Sequence, residues 1–574
     1  MGKIFRYIKP YVGYICLTLA IKTLGALAEL MIPYLMEYIL SRGAESGEVK
    51  LIFFYGGLMI LCAALCLTLN IVANRMSAKS SGKITLAIRH DLFQKLTSLS
   101  ARQMDELTVS SAESRLTSDT YNINQLLARV QRMGVRAPIL LVGGIGMMLT
   151  MDAGLALILI ALLPIIALIV FFVTKTSIPL YTKQQTVLDQ VVRTLQENIT
   201  GIRVIKALSK TEHEKARFNA VNEELSAIDR KAGSITAITN PAASLVLNIG
   251  LTLVVLIGGI RVNQGLSQSS TLLAFLQYFT MILNAMLGVT RIFVMWSKGE
   301  ASALRVAEVL ALPEDLTVLP GSQPEENPAH IEFRNVRFSY TGKGNNIDGL
   351  SFRLERGQTL GILGSTGSGK STIINLLMRL YDVNEGQILI DGRDIRTIPE
   401  AELRSKFGVV FQNDFVAEGD ISSNIRFFRD IAPGAVEQAA LDAQAAPFIA
   451  EKENGMESSV AVRGNNLSGG QKQRLLIARA LAGDPEILVL DDASSALDYR
   501  TDAQLRAALR KNYRDTTTVL IAQRVSSLRH ADLILVLSDG GLIGSGNHAQ
   551  LMETCEEYRI IAQTQMGAEE EVSA

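Results

Sequence analysis

At 574 residues the chain is too long for one hydrophobic core, and its length predicts several domains. Hydrophobic residues make up 48% of it and the mean hydropathy is +0.24, an excess confined to the N-terminal half. A net charge of zero excludes a global field that would draw the chain to nucleic acid. The four cysteines, three in apolar segments (Cys16, Cys62, Cys66) and Cys555 alone, form neither a disulfide framework nor a zinc pattern.

Residues 1–10 are basic and amphipathic, the pattern of an interfacial helix. Six apolar segments follow, at 13–40, 51–74, 134–152, 154–175, 240–262 and 271–296. Each can cross a hydrocarbon layer of ~30 Å, which takes about 20 residues of helix. The first is too long for a signal peptide and lacks a small-residue cleavage site, so no cleavable leader is expected. Orientation follows from lysine and arginine. The stretch 75–136 carries ten of them, whereas the links 41–50, 151–153 and 263–270 carry only Arg42 and Lys50. The positive-inside rule therefore puts both termini and the long stretches 75–133 and 176–239 in the cytoplasm. Both stretches stay helical in pattern, with turns expected near Ser111–Asp119 and Ser209–Phe218, where polar residues interrupt it. Lys22, Glu29, Asn248, Gln277, Asn284 and Arg291 are the polar residues of the spans. Such groups either line a pathway or bond neighbouring helices.

Residues 312–330, with four prolines among polar and acidic residues, read as a linker between a membrane domain (1–311) and a soluble α/β domain (331–574). In the latter, Ile331–Phe338 alternates like a strand. An apolar run, Thr359–Leu363, leads into Gly364-Ser365-Thr366-Gly367-Ser368-Gly369-Lys370-Ser371-Thr372 and then a helical pattern. Strand, glycine-rich loop and helix form the setting of a nucleoside-triphosphate phosphate loop. Backbone N–H groups and the helix N-terminus face the phosphates, Lys370 reaches the β- and γ-phosphates, and the Ser371 hydroxyl can hold Mg²⁺. Ile487–Asp492 reads as a buried strand ending in carboxylates, with Asp491 as a second Mg²⁺ ligand.

Between these motifs lies Leu467-Ser468-Gly469-Gly470-Gln471, and here the chain resembles the ATP-binding cassette (ABC) proteins, whose signature has this sequence. The resemblance covers nearly the entire chain, since Glu197…Gly201–Lys206…Phe218 is similar to the six-helix membrane domain of ABC exporters. It implies that Tyr340 stacks on adenine and that Gln412 is the glutamine that touches Mg²⁺. It implies a D-loop at Ser495–Asp498, with Asp498 its acidic member. It also implies a dimer in which each ATP lies between the phosphate loop of one cassette and the LSGGQ of the other.

Two positions depart from the family pattern. Asp492 stands where the family has the glutamate that acts as general base, about 1.5 Å short, a misplacement that can cost ~10²-fold in rate. Gln523 stands where the family has its switch histidine, and glutamine carries neither proton nor positive charge. Val462 replaces the usual glutamate of a loop near the membrane domain. Together with the intact signature, the two catalytic departures imply the weak-site subunit of a heterodimeric, multidrug-type bacterial exporter in the cell membrane. The partner would carry the consensus glutamate and histidine, and the substrate would be an amphiphilic small molecule. A peptide or lipid exporter, or a siderophore-type importer on the same fold, is the alternative. A soluble cassette ATPase is opposed by the six spans. A receptor that binds ATP without transporting would show no turnover dependent on the partner's base.

Overall fold

Long apolar sequence gives long helices, and the computed structural model, which describes residues 2–44, 47–321, 328–412 and 415–573, carries the six segments on Val12–Tyr38, Val49–Thr97, Arg136–Met151, Ala153–Thr200, Thr239–Asn263 and Ser269–Ala311. Among the described residues, five helical runs are long and apolar enough to cross a membrane. The sixth segment lies in a continuous helix of 43 residues, several of whose side chains, Arg291 among them, fall outside the described residues. Val49–Thr97 has 49 residues, which at 1.5 Å each extends about two and a half times the ~30 Å hydrocarbon layer.

The chain divides into two compact units, residues 1–97 with 109–312 and residues 98–108 with 313–574. The core of the first unit is aromatic and aliphatic, with Phe275, Tyr278, Phe279, Ile282 and Met148 fully buried. The buried Tyr278 hydroxyl donates to the Leu30 carbonyl at 2.6 Å, which removes the cost of burying it. Helices approach closely at Gly250, where a Cβ would lie 2.4 Å from the Phe279 ring and 2.7 Å from Leu162.

Polar residues in the spans bond to neighbouring helices. Lys22 Nζ donates to Asn70 at 2.6 Å and Asn74 at 3.1 Å, and Glu29 accepts from Arg136 at 2.6 Å. Lys22 and Glu29 thus engage different helices. Asn248 is satisfied within its own helix by Ser244 O at 2.8 Å, while Gln277 Nε2 contacts Met36 Sδ at 3.2 Å.

The first turn falls earlier than the polar residues suggest. Helix Val49–Thr97 ends, Ser100 caps a short helix (Ala101–Leu107) through a reciprocal bond with Gln103, and Thr108 takes φ +64°. Residues 109–133 are helical throughout. In Ser111–Asp119 the hydroxyl of Thr117 bonds back to Glu113 O at 2.7 Å, and Arg305 pairs with Asp119, bonds made while the helix runs on through this polar stretch. The second turn follows a short helix (Ile202–Ala207) and falls at residues 208–210, with Ser209 at φ +53°, and helix Thr211–Ala237 already covers the rest of the expected stretch.

In the second unit an antiparallel sheet of four strands has the order Ile347–Leu354, Ile331–Phe338, Glu385–Ile390, Arg393–Asp394. A six-stranded sheet has the order Gly541–Gly546, Leu533–Ser538, Thr359–Gly364, Thr517–Ile521, Ile487–Asp491, Phe407–Val410, parallel except at its first pair. Ile487–Asp491 is buried along its whole length, as a strand covered on both faces must be. Thr359–Gly364, Thr517–Ile521 and Ile487–Asp491 are neighbours, so their carboxyl ends bring Gly364, Gln523 and Asp491 to one edge, where open α/β sheets hold ligands. Segment 98–108 is anchored in the same unit: Ser100 Oγ donates to Asp315 at 2.7 Å, Gln103 Nε2 to Pro313 O at 2.8 Å, and Tyr381 OH to Asp105 at 2.5 Å. Residues 322–327 of the expected linker lie outside the described residues.

Candidate functional site

The loop after Thr359–Gly364 can curl only because two glycines accept left-handed backbone, Gly367 at φ +86° and Gly369 at φ +98°. A Cβ at Gly369 would also meet Asn346 O at 2.6 Å. Lys370 opens helix Lys370–Leu377, and its ammonium arches back to donate to Gly364 O at 2.8 Å and Ser365 O at 2.7 Å. Burial lowers its pKa, against the pull of Asp491 and Asp492. The Ser371 hydroxyl donates to Asp491 Oδ2 at 2.9 Å. Ser365, Thr366 and Gly367 are exposed at the tip, whereas Ser368 is buried and its hydroxyl has no partner among the described residues.

Asp491 is 5% exposed, and burial raises its pKa, with a further push from Asp492. A buried carboxylate beside a hydroxyl, uncompensated by any ion pair among the described residues, suits a divalent cation, and the curled loop with an ammonium across it suits phosphates. Tyr340, 39% exposed, meets Phe338 and Tyr381 edge-on at 4.8 and 5.1 Å. Its hydroxyl reaches Thr372 at 3.4 Å and accepts from Asn375 at 3.1 Å, which places it over the first helix of the phosphate loop. Gln412 is exposed just past strand Phe407–Val410, and the two residues after it lie outside the described residues.

Asp492 takes φ +50°, and its N–H donates to Ile521 O at 3.0 Å. Burial raises its pKa too, opposed by Lys370 and Arg524. Gln523 Nε2 lies 3.4 Å from Asp492 Oδ2, beyond the usual range for a strong bond. The structure therefore brings the two departing residues side by side. Gln565, which sequence reasoning missed, orients this corner: its Nε2 donates to Gln523 O at 2.9 Å, and its Oε1 accepts from Val525 N at 2.8 Å.

The signature begins helix Gly469–Leu481. Ser468 caps it, accepting from Gln471 N at 3.2 Å, while Gln471 Oε1 accepts from Ser468 N at 3.0 Å. Leu467 packs against the helical core, and Gly469 and Gly470 pass close under Ala496, whose carbonyl would lie 3.0 Å from a Cβ on Gly470. Among the described residues no hydrogen bond joins the signature to the phosphate loop of the same chain. A second missed residue, Gln473, does link it to the hydrolytic corner, donating to Asp492 O at 3.0 Å and accepting from Ala496 N at 3.0 Å. No spacing signal could reveal it, because its partners lie 19 and 23 residues on. Asp498 caps helix Tyr499–Asn512 through Thr501, and those bonds hold its carboxyl below the usual range.

A helical region with membrane-length spans, joined to an α/β unit with a phosphate loop and an LSGGQ cap, defines a transporter powered by an ATPase cassette. Residues 15–286 match the ABC transporter transmembrane region and residues 347–495 the ABC transporter family. The chain is 32% identical over 571 residues to YfiB, an ABC transporter ATP-binding protein of Bacillus subtilis, covering 99% of each. It is 32% identical over 523 residues to the fatty acid ABC transporter ATP-binding/permease protein of Mycobacterium tuberculosis, covering 90% of this chain and 82% of that one. The structure of a bacterial Atm1-family ABC exporter with ATP bound superposes with a TM-score of 0.81 at 25% identity, covering 97% of this chain and 98% of that one. The chain belongs to the ABC transporter family. It is an exporter-type half-transporter, a multi-pass membrane protein with the transmembrane region fused to the cassette. Its fold implies dimerisation and ATP hydrolysis coupled to transport.

Proposed function

We propose that this chain is the weak-site subunit of a heterodimeric bacterial exporter in the cell membrane, with both termini cytoplasmic. The observation that carries this reading is the corner where Asp492 and Gln523 meet at 3.4 Å. Neither residue can do what a glutamate base and a histidine would: the aspartate is a methylene short, and the amide offers no titratable proton near neutral pH. The binding side remains furnished. Lys370 and the amides of Gly364–Thr372 hold the phosphates, Tyr340 takes the adenine, and Ser371, Asp491 and Gln412 hold Mg²⁺. The ion neutralises phosphate charge when bound. Ser468, Gly469 and Gly470 cap a helix and, among the described residues, make no hydrogen bond to their own phosphate loop, which leaves them to complete the partner's site. Asp498 sits between the two as the D-loop member.

The substrate is an amphiphilic small molecule. A cavity of about 510 Å³ between the spans is lined by Leu140, Leu276 and Met281, by the polar side chains of Gln277, Thr280 and Asn284, and by the Glu29–Arg136 pair, a mixed lining that suits an amphiphilic ligand. A lipid or fatty acid is the second reading, favoured by the same cavity and by the similarity to the mycobacterial fatty acid transporter. The test is the composition of the complex purified from its native membrane in mild detergent. A stoichiometric second half-transporter, with glutamate and histidine at the two positions, is the expected result. Recovery of this chain alone would overturn the reading.

A further inference from the structure

A parallel sheet buries both faces, so a gap at its centre is unusual. Thr517–Ile521 lies between Thr359–Gly364 and Ile487–Asp491, yet Thr518 and Leu520, successive residues on one face of it, are only half-buried. Helix Tyr499–Asn512 crosses this face without closing it and leaves a cleft of about 320 Å³. Its inner wall is apolar, formed by Leu490, Leu505, Leu509 and Leu520. The floor includes Ala493 and Ser494, the two residues after Asp492.

The mouth is cationic. Arg510 and Arg514 stand there exposed, and among the described residues no carboxylate lies within ion-pair distance of either. The two acids of the cleft are committed elsewhere. Asp502, 3% exposed, pairs with Arg506 at 2.9 Å, and Asp532 Oδ2 accepts the backbone N–H of Thr359 at 2.7 Å. His530 completes the rim. Its pKa is lowered by burial and then by Arg510, Arg529 and Arg506.

We propose that this cleft is a binding site for a small anion with an apolar body, a compact carboxylate seated against Leu505, Leu509 and Leu520 with its charge on Arg510 and Arg514. The apolar wall supplies non-directional affinity, and two guanidinium groups select a planar carboxylate over a neutral isostere. The site is separate from the phosphate loop and does not depend on which partner the chain has.

The test uses the full complex in lipid nanodiscs, titrated calorimetrically with naphthalene-2-carboxylate and with the matching carboxamide. Saturable binding of the acid is expected, with the amide about tenfold weaker. The double variant R510A/R514A, whose changes are exposed and leave basal ATPase unchanged, should lose about tenfold in affinity for the acid, and R510K/R514K, which keeps the charge and loses the planar fork, should recover only part of it. Equal affinity for acid and amide, unchanged affinity in R510A/R514A, or no saturable binding of the acid would overturn the site.

Discussion

The two sides of the nucleotide site differ in what holds them. The phosphate side is fixed by main chain and burial: left-handed glycines, an ammonium tied to two loop carbonyls, and a serine bonded to a buried carboxylate. The hydrolytic side rests on side chains, an aspartate and an exposed glutamine joined by one long contact. Substitution on the second side leaves the first intact, so a chain can lose catalytic strength and keep its nucleotide.

The largest effect expected from this contrast falls on the partner. Replacing the glutamate of the partner cassette by glutamine should abolish turnover of the complex, by about 10³-fold or more, whereas Asp492→Ala should lower it by about twofold. Phosphate-release assays on the two variants would check this, and equal losses would collapse the asymmetry. Lys370→Ala should weaken ATP binding on this chain by on the order of a hundredfold, since it removes a charged donor from the phosphates. Labelling with a photoreactive ATP analogue would read the loss chain by chain.

Asp491→Asn should separate stability from function. Burial raises the folded pKa of Asp491 above its unfolded value. The stability this group contributes is therefore present in acid, below the unfolded value, and is lost as pH rises through the folded value. At neutral pH without nucleotide, the asparagine variant should be more stable by about 1 kcal/mol while losing its Mg²⁺-dependent gain with ATP. The difference should vanish below the ordinary carboxylate range, and thermal unfolding at several pH values would follow it. The smallest change is Gln473→Ala, which removes both links between the signature helix and the segment after Asp491. It should cost about 1–2 kcal/mol in unfolding free energy, measured with denaturant.

What could be read from the sequence follows the same division. Gly364–Thr372, Ile487–Asp491 and Leu467–Gln471 each carry a local reason for their conformation, and they form a phosphate loop, a buried strand and a capped helix. The apolar segments likewise become long helices. The turn between Val49–Thr97 and the next span escaped because Ser111–Asp119 and Ser98–Ser100 look alike by composition. Only the capping bond of Ser100 to Gln103, and the Arg305–Asp119 pair far along the chain, decide which breaks the helix. Gln473 and Gln565 were illegible for a similar reason: their partners belong to other elements.

The short helix Ala101–Leu107 carries a consequence for biosynthesis. Its anchors lie far ahead in the chain, Asp315 at a separation of 215 residues from Ser100 and Tyr381 at 276 from Asp105. At about 5–20 residues per second a ribosome needs at least ten seconds to deliver them. Until then the Asp105 carboxylate and the Gln103 amide nitrogen lack the partners they have in the native fold and must wait in water. Docking of this segment is therefore among the last steps of assembly, after the cassette that receives it has been made.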